Sequence, residues 1–236
     1  MIKLSIVVPC YNEEKNIPLI VERFSEAIKR NDIEVILVDN GSNDNSAEVL
    51  ANLVPKYSFL KTVKVEINQG YGYGILQGLK AARGKFIGWT HADMQTDPID
   101  VIKALDLIEK EPADDKIFVK GNRKGRPLFD EFFTFSMGCF ETLLLGEFLW
   151  DINAQPNIFS RELMENEQNA PFDFALDLFA FYKAKKEKYK IIRFPVIFPK
   201  RIHGASHWNT GLFAKWKFIK RTMDFSFKLK RELRQK

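Results

Sequence analysis

Cysteine is scarce in this chain. Its 236 residues include two, Cys10 and Cys139, whose separation matches no metal-binding spacing. Two isolated thiols argue against a disulfide-built fold and favour a reducing compartment. Long apolar runs are also missing. No stretch of about 18 uncharged apolar residues occurs, which argues against a membrane-spanning helix. The nearest approach, 132–150, is interrupted by Glu141 and Glu147 and reads as a buried or membrane-contacting helix. The opening "MIKLSIVVPC" does not read as a secretory leader, because its apolar run stops at Pro9 before "YNEE". A dinucleotide fingerprint is absent: the third glycine of that pattern would fall at Ile75 or Gln77, which disfavours a nicotinamide or flavin enzyme. Repeats, low-complexity tracts and linkers are missing as well. The net charge of +5 is too modest to imply a nucleic-acid partner, but it suits an anionic one.

The first half of the chain alternates. "LSIVVP", "IEVILVD", "LKTVKVEI" and "KFIGWT" read as strands, the first a continuous apolar run typical of burial on both faces. Between them, 13–30 reads as a helix capped by Asn12 with acids in its first turn, "AEVLANLV" as a helix, "NQGYGYG" as a turn and "ILQGLKAA" as a short helix. A further helix follows at 97–110 with Pro98 near its start. This order predicts an α/β fold with a Rossmann-like, mainly parallel sheet flanked by helices. The second half is less regular. It offers strands around 116–120, 157–160 and 190–198, a helix over 171–189, and a basic amphipathic tail over 211–236. In that tail Phe213, Trp216, Ile219, Met223 and Phe227 can share one face.

In parallel sheets ligands sit at the carboxyl ends of strands. Tyr11, Asp39, Asn68 and "THADMQTDP" all fall there. His91, Asp93 and Gln95 alternate, and a kink past the strand would aim them at one cation, which would neutralise a diphosphate leaving group. Asp97 suits the cap of the next helix, whereas Asp93 lies too far upstream for that role. Asp39 either caps its loop or accepts from a nucleobase or ribose. The glycines from Gly70 to Gly74 form either a tight packing turn or a backbone cradle for a diphosphate. Arg123 and Arg126, and Arg201 with His203, are candidate phosphate ligands, since guanidinium forks match phosphate oxygens.

In order, "SIVVPCYNEE", "VDNGSNDNS", "NQGYGYGILQGLKAARGKFIGWTHADMQTDP" and "RIHGASHW" resemble glycosyltransferase family 2, which has the GT-A fold, and most of all its dolichol-phosphate-mannose-synthase-like branch. The similarity covers residues 3–208. It implies that Pro9, Tyr11 and Glu13 line a nucleotide site, that Asp39 contacts the base, and that Asp93 and Gln95 hold a metal. It also implies that Arg201 and Ser206 belong to a loop closing on the donor diphosphate, and that the reaction inverts the anomeric carbon. Three positions depart from the family pattern: Asn40 for a second Asp, His91 for the first metal Asp, and His207 for a lysine. An imidazole at 91 suits Mn²⁺ better than Mg²⁺, though either could serve.

A hydroxyl acceptor needs a general base, whereas a phosphate acceptor needs cations instead. Asp151, Asp173 and Asp177 are candidate bases. Arg123, Arg126 and the tail favour a polyprenyl phosphate or a membrane-linked glycan. The expectation is a transferase taking UDP- or GDP-linked sugar, cytoplasmic and peripheral to the membrane. Residues 1–115 would form the nucleotide-sugar half, 116–210 the acceptor half and 211–236 a tail. The alternative is a non-catalytic relative that binds a nucleotide or a protein partner.

Overall fold

The computed structural model describes residues 1–112, 116–165, 167–199, 203 and 212–234. Seven strands form one sheet in the order β3-β2-β1-β4-β6-β5-β7. β1 (Leu4–Cys10) lies between β2 (Ile33–Asn40) and β4 (Phe86–Trp89), parallel to both. β3 (Leu60–Val65) extends the sheet beyond β2. β6 (Asn157–Ser160) runs antiparallel to β4 and to β5 (Ile117–Lys124), and β7 (Lys190–Ile197) closes the far edge parallel to β5. Every residue of β2 and β4 is buried, as expected for strands covered on both faces.

Two cores sandwich the sheet. One includes Ile17, Ile20 and Phe24 of α1 (Asn16–Ala27), Leu50 of α2 (Ser46–Leu53), and Val101, Leu105 and Ile108 of α4 (Ile99–Glu109). The other includes Ile75 and Leu79 of α3 (Tyr71–Ala81) and Leu176, Phe179 and Phe181 of α6 (Ala175–Lys186). The chain fills β1, β2 and β3 in one direction and then crosses to place β4 on the other side of β1. The reversal between β1 and β4 opens a crevice at their carboxyl ends. This is the mainly parallel α/β architecture that the strand-helix alternation predicts.

Three local expectations are corrected. Asn12 does not cap α1. It adopts a positive φ of 56°, and its side chain accepts from Asn43 N (2.9 Å), so the helix starts later and no acid lies in its first turn. The turn expected across "NQGYGYG" is largely helix, because α3 begins at Tyr71. Only Gly70 has a positive φ (118°); at Gly72 a Cβ would come within 2.5 Å of Pro171 O, so glycine there admits a neighbouring backbone. Finally, the apolar stripe drawn on the tail is offset. In α7 (Leu212–Arg234) Ser226 and Leu229 are buried while Phe227 is exposed. The side chains of Phe213 and Trp216 lie outside the described residues.

α7 packs on α5 (Leu128–Leu145). Ser226 Oγ donates to buried Glu141 Oε1 at 2.7 Å, and Phe227 meets Phe140 edge-on. Burial raises the Glu141 carboxyl to about 7 despite the Ser226 bond. Among the described residues, no helix is long and apolar enough to cross a membrane.

A buried carboxylate ties the far end of the sheet together. Glu34 sits opposite Ser5 in the β1–β2 register and is 2% exposed. It accepts from Ser5 Oγ (2.7 Å), Lys61 Nζ (2.6 Å) and Arg83 N (2.7 Å). Burial pushes its pKa up, but these donors outweigh burial and hold it at about 2. Against an unfolded value of 4.5, the depressed pKa contributes about 3 kcal/mol that is fully present above pH 4.5 and lost as pH falls toward 2. Glu34→Gln is expected to lose most of this at neutral pH, and its deficit should shrink to nothing near pH 2 in urea titrations.

Candidate active site

A cavity of about 480 Å³ opens at the reversal between β1 and β4. Its floor comes from strand ends. Pro9, Cys10 and Tyr11 leave β1 there, and Glu13 follows from the next turn. That turn is laced to the β2–α2 loop: Asn12 N donates to Ser42 Oγ, Glu13 N to Ser46 Oγ and Glu14 N to Asp44 Oδ2. Asp39 stands just behind, 4% exposed, accepting from Ser42 N at 3.0 Å, so it shapes the loop. Burial raises the Cys10 thiol pKa, and the carboxylates of Glu13, Asp39 and Asp44 raise it further.

Asn40 reaches the cavity wall and donates from Nδ2 to Gly70 O at 3.0 Å. A carboxylate could not make that bond. The departure to asparagine thus holds the start of α3 against β2. Gly70 itself does not line the cavity, and a Cβ there would fall 2.3 Å from Phe172 O.

The 90–98 loop hangs from β4. Thr90 and Thr96 hydroxyls meet at 2.9 Å, and Asp97 accepts from Ile99 N and from Arg23, so it does cap the next helix. Asp93 accepts from Gln95 N (3.1 Å), and Met94 turns through a positive φ of 59°, which supplies the expected kink. His91, Asp93 and Gln95 all line the cavity. The Gln95 amide nitrogen donates to Pro199 O. Among the described residues, no three His, Cys, Asp or Glu groups converge as a metal cluster. The local donor set is one carboxylate, one imidazole and one amide.

The second half of the chain supplies the opposite wall. Arg123 and Arg126 lie over the Phe198 ring at 5.3 and 5.8 Å, and both line the cavity. Asp151 binds Arg123 through both carboxylate oxygens, from Nε at 2.8 Å and from the backbone N at 2.8 Å. Burial opposes the Asp151 charge, but Arg123 outweighs it and lowers the carboxyl pKa. Arg193 stands 3.9 Å from the same carboxylate, and burial lowers its pKa to about 10. Arg126 donates to Thr134 Oγ1, while Asp130 on the cavity wall partly offsets its charge. Burial followed by the Arg123 charge lowers the Arg126 pKa.

Asp173 points elsewhere. It accepts from Ala175 N at the start of α6 and pairs with Arg221 of α7 at 3.1 Å. Asp177, one turn on, lines the cavity and anchors a buried polar cluster with Trp89, Gln155, Asn157 and Lys120. His203 is exposed, its carbonyl accepting from Asn16 Nδ2 at 3.4 Å. Arg201, Ser206 and His207 lie outside the described residues.

The family model for glycosyl transferase family 2 matches residues 5–128, more than half of the chain. This chain belongs to glycosyl transferase family 2. It is 36% identical over 111 residues to the undecaprenyl-phosphate 4-deoxy-4-formamido-L-arabinose transferase of Yersinia enterocolitica, covering 46% of this chain and 34% of that relative. It is 29% identical over 131 residues to the dolichyl-phosphate beta-glucosyltransferase of Dictyostelium discoideum, covering 52% and 40%. The chain therefore spans little more than a third of the length of these curated relatives. Among solved structures it resembles glucosyl-3-phosphoglycerate synthase from Mycobacterium tuberculosis, solved with Mn²⁺, UDP and glucosyl-3-phosphoglycerate (TM-score 0.69, 17% identity, 90% and 76% coverage). A mannosyltransferase from Pyrobaculum calidifontis, solved with GDP-Man and Mn²⁺, scores 0.65 at 20% identity, covering 85% of this chain and 58% of that one. These likenesses show the GT-A fold.

Within this family 2 chain, Tyr71 on the cavity wall and three buried polar residues behind that wall carried little signal in the sequence. Tyr71 looked like part of a glycine turn, yet it stacks on Phe174 at 4.6 Å. Burial, Asp177 and Asp93 together raise its phenol pKa, so both carboxylates act on one hydroxyl. Gln155 and Asn157 sit in "AQPNIF", which offered no account of itself. A polar pair alternating into a buried strand was the available signal. Lys120 was a second, a lysine closing the apolar "IFV".

Burial lowers the Lys120 ammonium to about 7, partly offset by Asp177. Between about pH 7 and the ordinary 10.5, the unfolded chain binds a proton that the folded chain does not, so stability rises with pH across that window. Lys120→Met is expected to lose that rise, read as the difference between urea-denaturation profiles of the two proteins.

Proposed function

We propose that this chain transfers a sugar from a nucleoside-diphosphate sugar to a polyprenyl-phosphate acceptor at a membrane surface, inverting the anomeric carbon. One observation carries the reading: a single cavity brings His91, Asp93 and Gln95 together with Arg123 and Arg126. The first group suits the metal-diphosphate end of a donor. The second suits a phosphate acceptor, which is already anionic and needs no base. A phosphate oxygen attacks the anomeric carbon from the face opposite the leaving group. The bond from that carbon to the diphosphate oxygen breaks, and the nucleoside diphosphate departs.

Asp93, with His91 and Gln95, would hold a divalent cation that stabilises the departing diphosphate. The imidazole favours Mn²⁺ over Mg²⁺. Pro9, Tyr11, Glu13 and the Asp39 loop would seat the nucleotide, uridine or guanosine. Arg201, His203 and Ser206 would close on the diphosphate. With Asp151 held by Arg123 and Asp173 capping α6, both serve as positioning groups under this reading. Residues 1–115 then act as the donor half and 116–210 as the acceptor half.

Membrane contact is assigned to the start of α5 with support from α7. Leu128, Phe129 and Phe132 are 84%, 67% and 68% exposed, next to Arg126 and one turn from cavity residues Phe133 and Thr134. Apolar side chains beside cations suit the interface of an anionic bilayer.

The test is transfer from UDP- and GDP-sugars to a short polyprenyl phosphate, with Mn²⁺ or with chelator. Asp93→Ala should lower kcat/KM by at least ~100-fold through lost transition-state charge stabilisation, and full transfer by that variant would end the assignment. Arg126→Gln should raise the acceptor KM by roughly 10-fold, the scale of one charge-assisted hydrogen bond, while leaving the donor KM unchanged. Replacing Phe129 and Phe132 together by Ser should reduce flotation with phosphatidylglycerol vesicles. Unaltered flotation would remove α5 from the membrane contact.

A further inference from the structure

We propose that Asp177 is the residue that reads a hydroxyl of the donor sugar, using the carboxylate oxygen that its buried network leaves open. The inference rests on the transferase reading above and deepens it. Asp177 stands in the first turn of α6, 2% exposed, on the cavity wall. Its Oδ1 accepts three hydrogen bonds, from Trp89 Nε1 (2.9 Å), Gln155 Nε2 (2.8 Å) and Asn157 Nδ2 (2.8 Å). Among the described residues nothing donates to its Oδ2, and the residue itself lines the cavity. A buried carboxylate oxygen left without a donor is costly, and a ligand donor removes that cost.

The network also fixes where Oδ2 points. Asn157 is oriented by Lys120 Nζ, which donates to its Oδ1 at 2.6 Å and to Ala154 O at 2.7 Å. The Asn157 amide nitrogen additionally donates to Gln155 Oε1 at 3.0 Å. Trp89, Lys120, Gln155 and Asn157 are each wholly buried. Lys120 is therefore a positioning residue, acting on the carboxylate through Asn157. Such a support holds an acceptor in place before the ligand arrives.

The surroundings define the ligand's chemistry. Tyr71 lines the same cavity as Asp177 and Asp93, and its hydroxyl accepts from Gln155 Nε2 at 3.4 Å. Among the described residues neither cavity arginine donates to Asp177: Arg123 binds Asp151 and Arg126 binds Thr134. A carboxylate and a phenol facing one space repel a phosphate and accept from a neutral hydroxyl. The donor sugar is the part of the substrate that presents such hydroxyls beside the diphosphate at Asp93.

The test is calorimetric titration with Mn²⁺, comparing UDP with UDP-glucose and GDP with GDP-mannose. The wild type should bind one nucleotide and its sugar conjugate. Asp177→Asn, which presents a donor where the acceptor was, should leave the nucleotide Kd unchanged and weaken the conjugate about 10- to 100-fold, the scale of a buried hydrogen bond to a charge. Trp89→Phe removes one of the three supporting donors and guards against an Asp177 variant that does not fold. It should weaken the conjugate several-fold, again sparing the nucleotide. An unchanged conjugate Kd in Asp177→Asn would overturn the proposal. So would a fall in transfer rate with conjugate affinity intact, which marks a general base. Wild-type protein that binds neither nucleotide nor conjugate would overturn the transferase reading and the subsite with it.

Discussion

The parallel pairing of β4 alongside β1 is the constraint on which the rest of the molecule depends. Because the chain fills β2 and β3 on one side before crossing back, the loops after β1 and β4 leave in opposite directions. Their divergence is what creates a crevice where two strands would otherwise be capped by packed loops. Tyr11 and Asp93 reach one cavity for that reason, although 82 positions separate them in the chain.

The crevice would be shallow without the second half. The 171–173 segment comes against the start of α3 so closely that Gly70 and Gly72 have no room for a Cβ. Tyr73 N donates to Phe172 O, sealing the approach. This contact fixes the start of α6 and, with it, Phe174 and Asp177 at the cavity wall. The glycine run that resembled a phosphate cradle is thus occupied by protein backbone, and its lack of side chains serves packing.

Charge is arranged with the same economy. Carboxylates and an imidazole lie at the strand ends, while guanidiniums come from β5 and the segment after it. On that wall Asp151 binds Arg123 and approaches Arg193, while Asp130 partly offsets Arg126. Deeper in, Lys120 is too far inside to be solvated, and two carboxamides carry the hydrogen bonds that link it to Asp177 on the cavity wall. A buried network of this kind is tolerable only because nearly every member is satisfied.

Local pattern in the sequence determined the strands, most helices, the parallel architecture and the polar strand ends. Strand periodicity, strand-end polarity and a capping aspartate such as Asp97 act over a few residues and are written in consecutive positions. Alternation at a strand end made His91, Asp93 and Gln95 candidates, a basic loop did so for Arg123 and Arg126, and the fold brings all five to one cavity. Tertiary structure alone decided the remainder. It turned "GYGYG" into the start of a helix, paired Asp173 with Arg221, and drew Gln155, Asn157 and Lys120 around Asp177. Those outcomes turn on which backbone comes within a few ångströms of a missing Cβ, and on which distant donor reaches a buried oxygen. Such distances are set by how sheet, loop and helix pack, and no run of neighbouring residues encodes them.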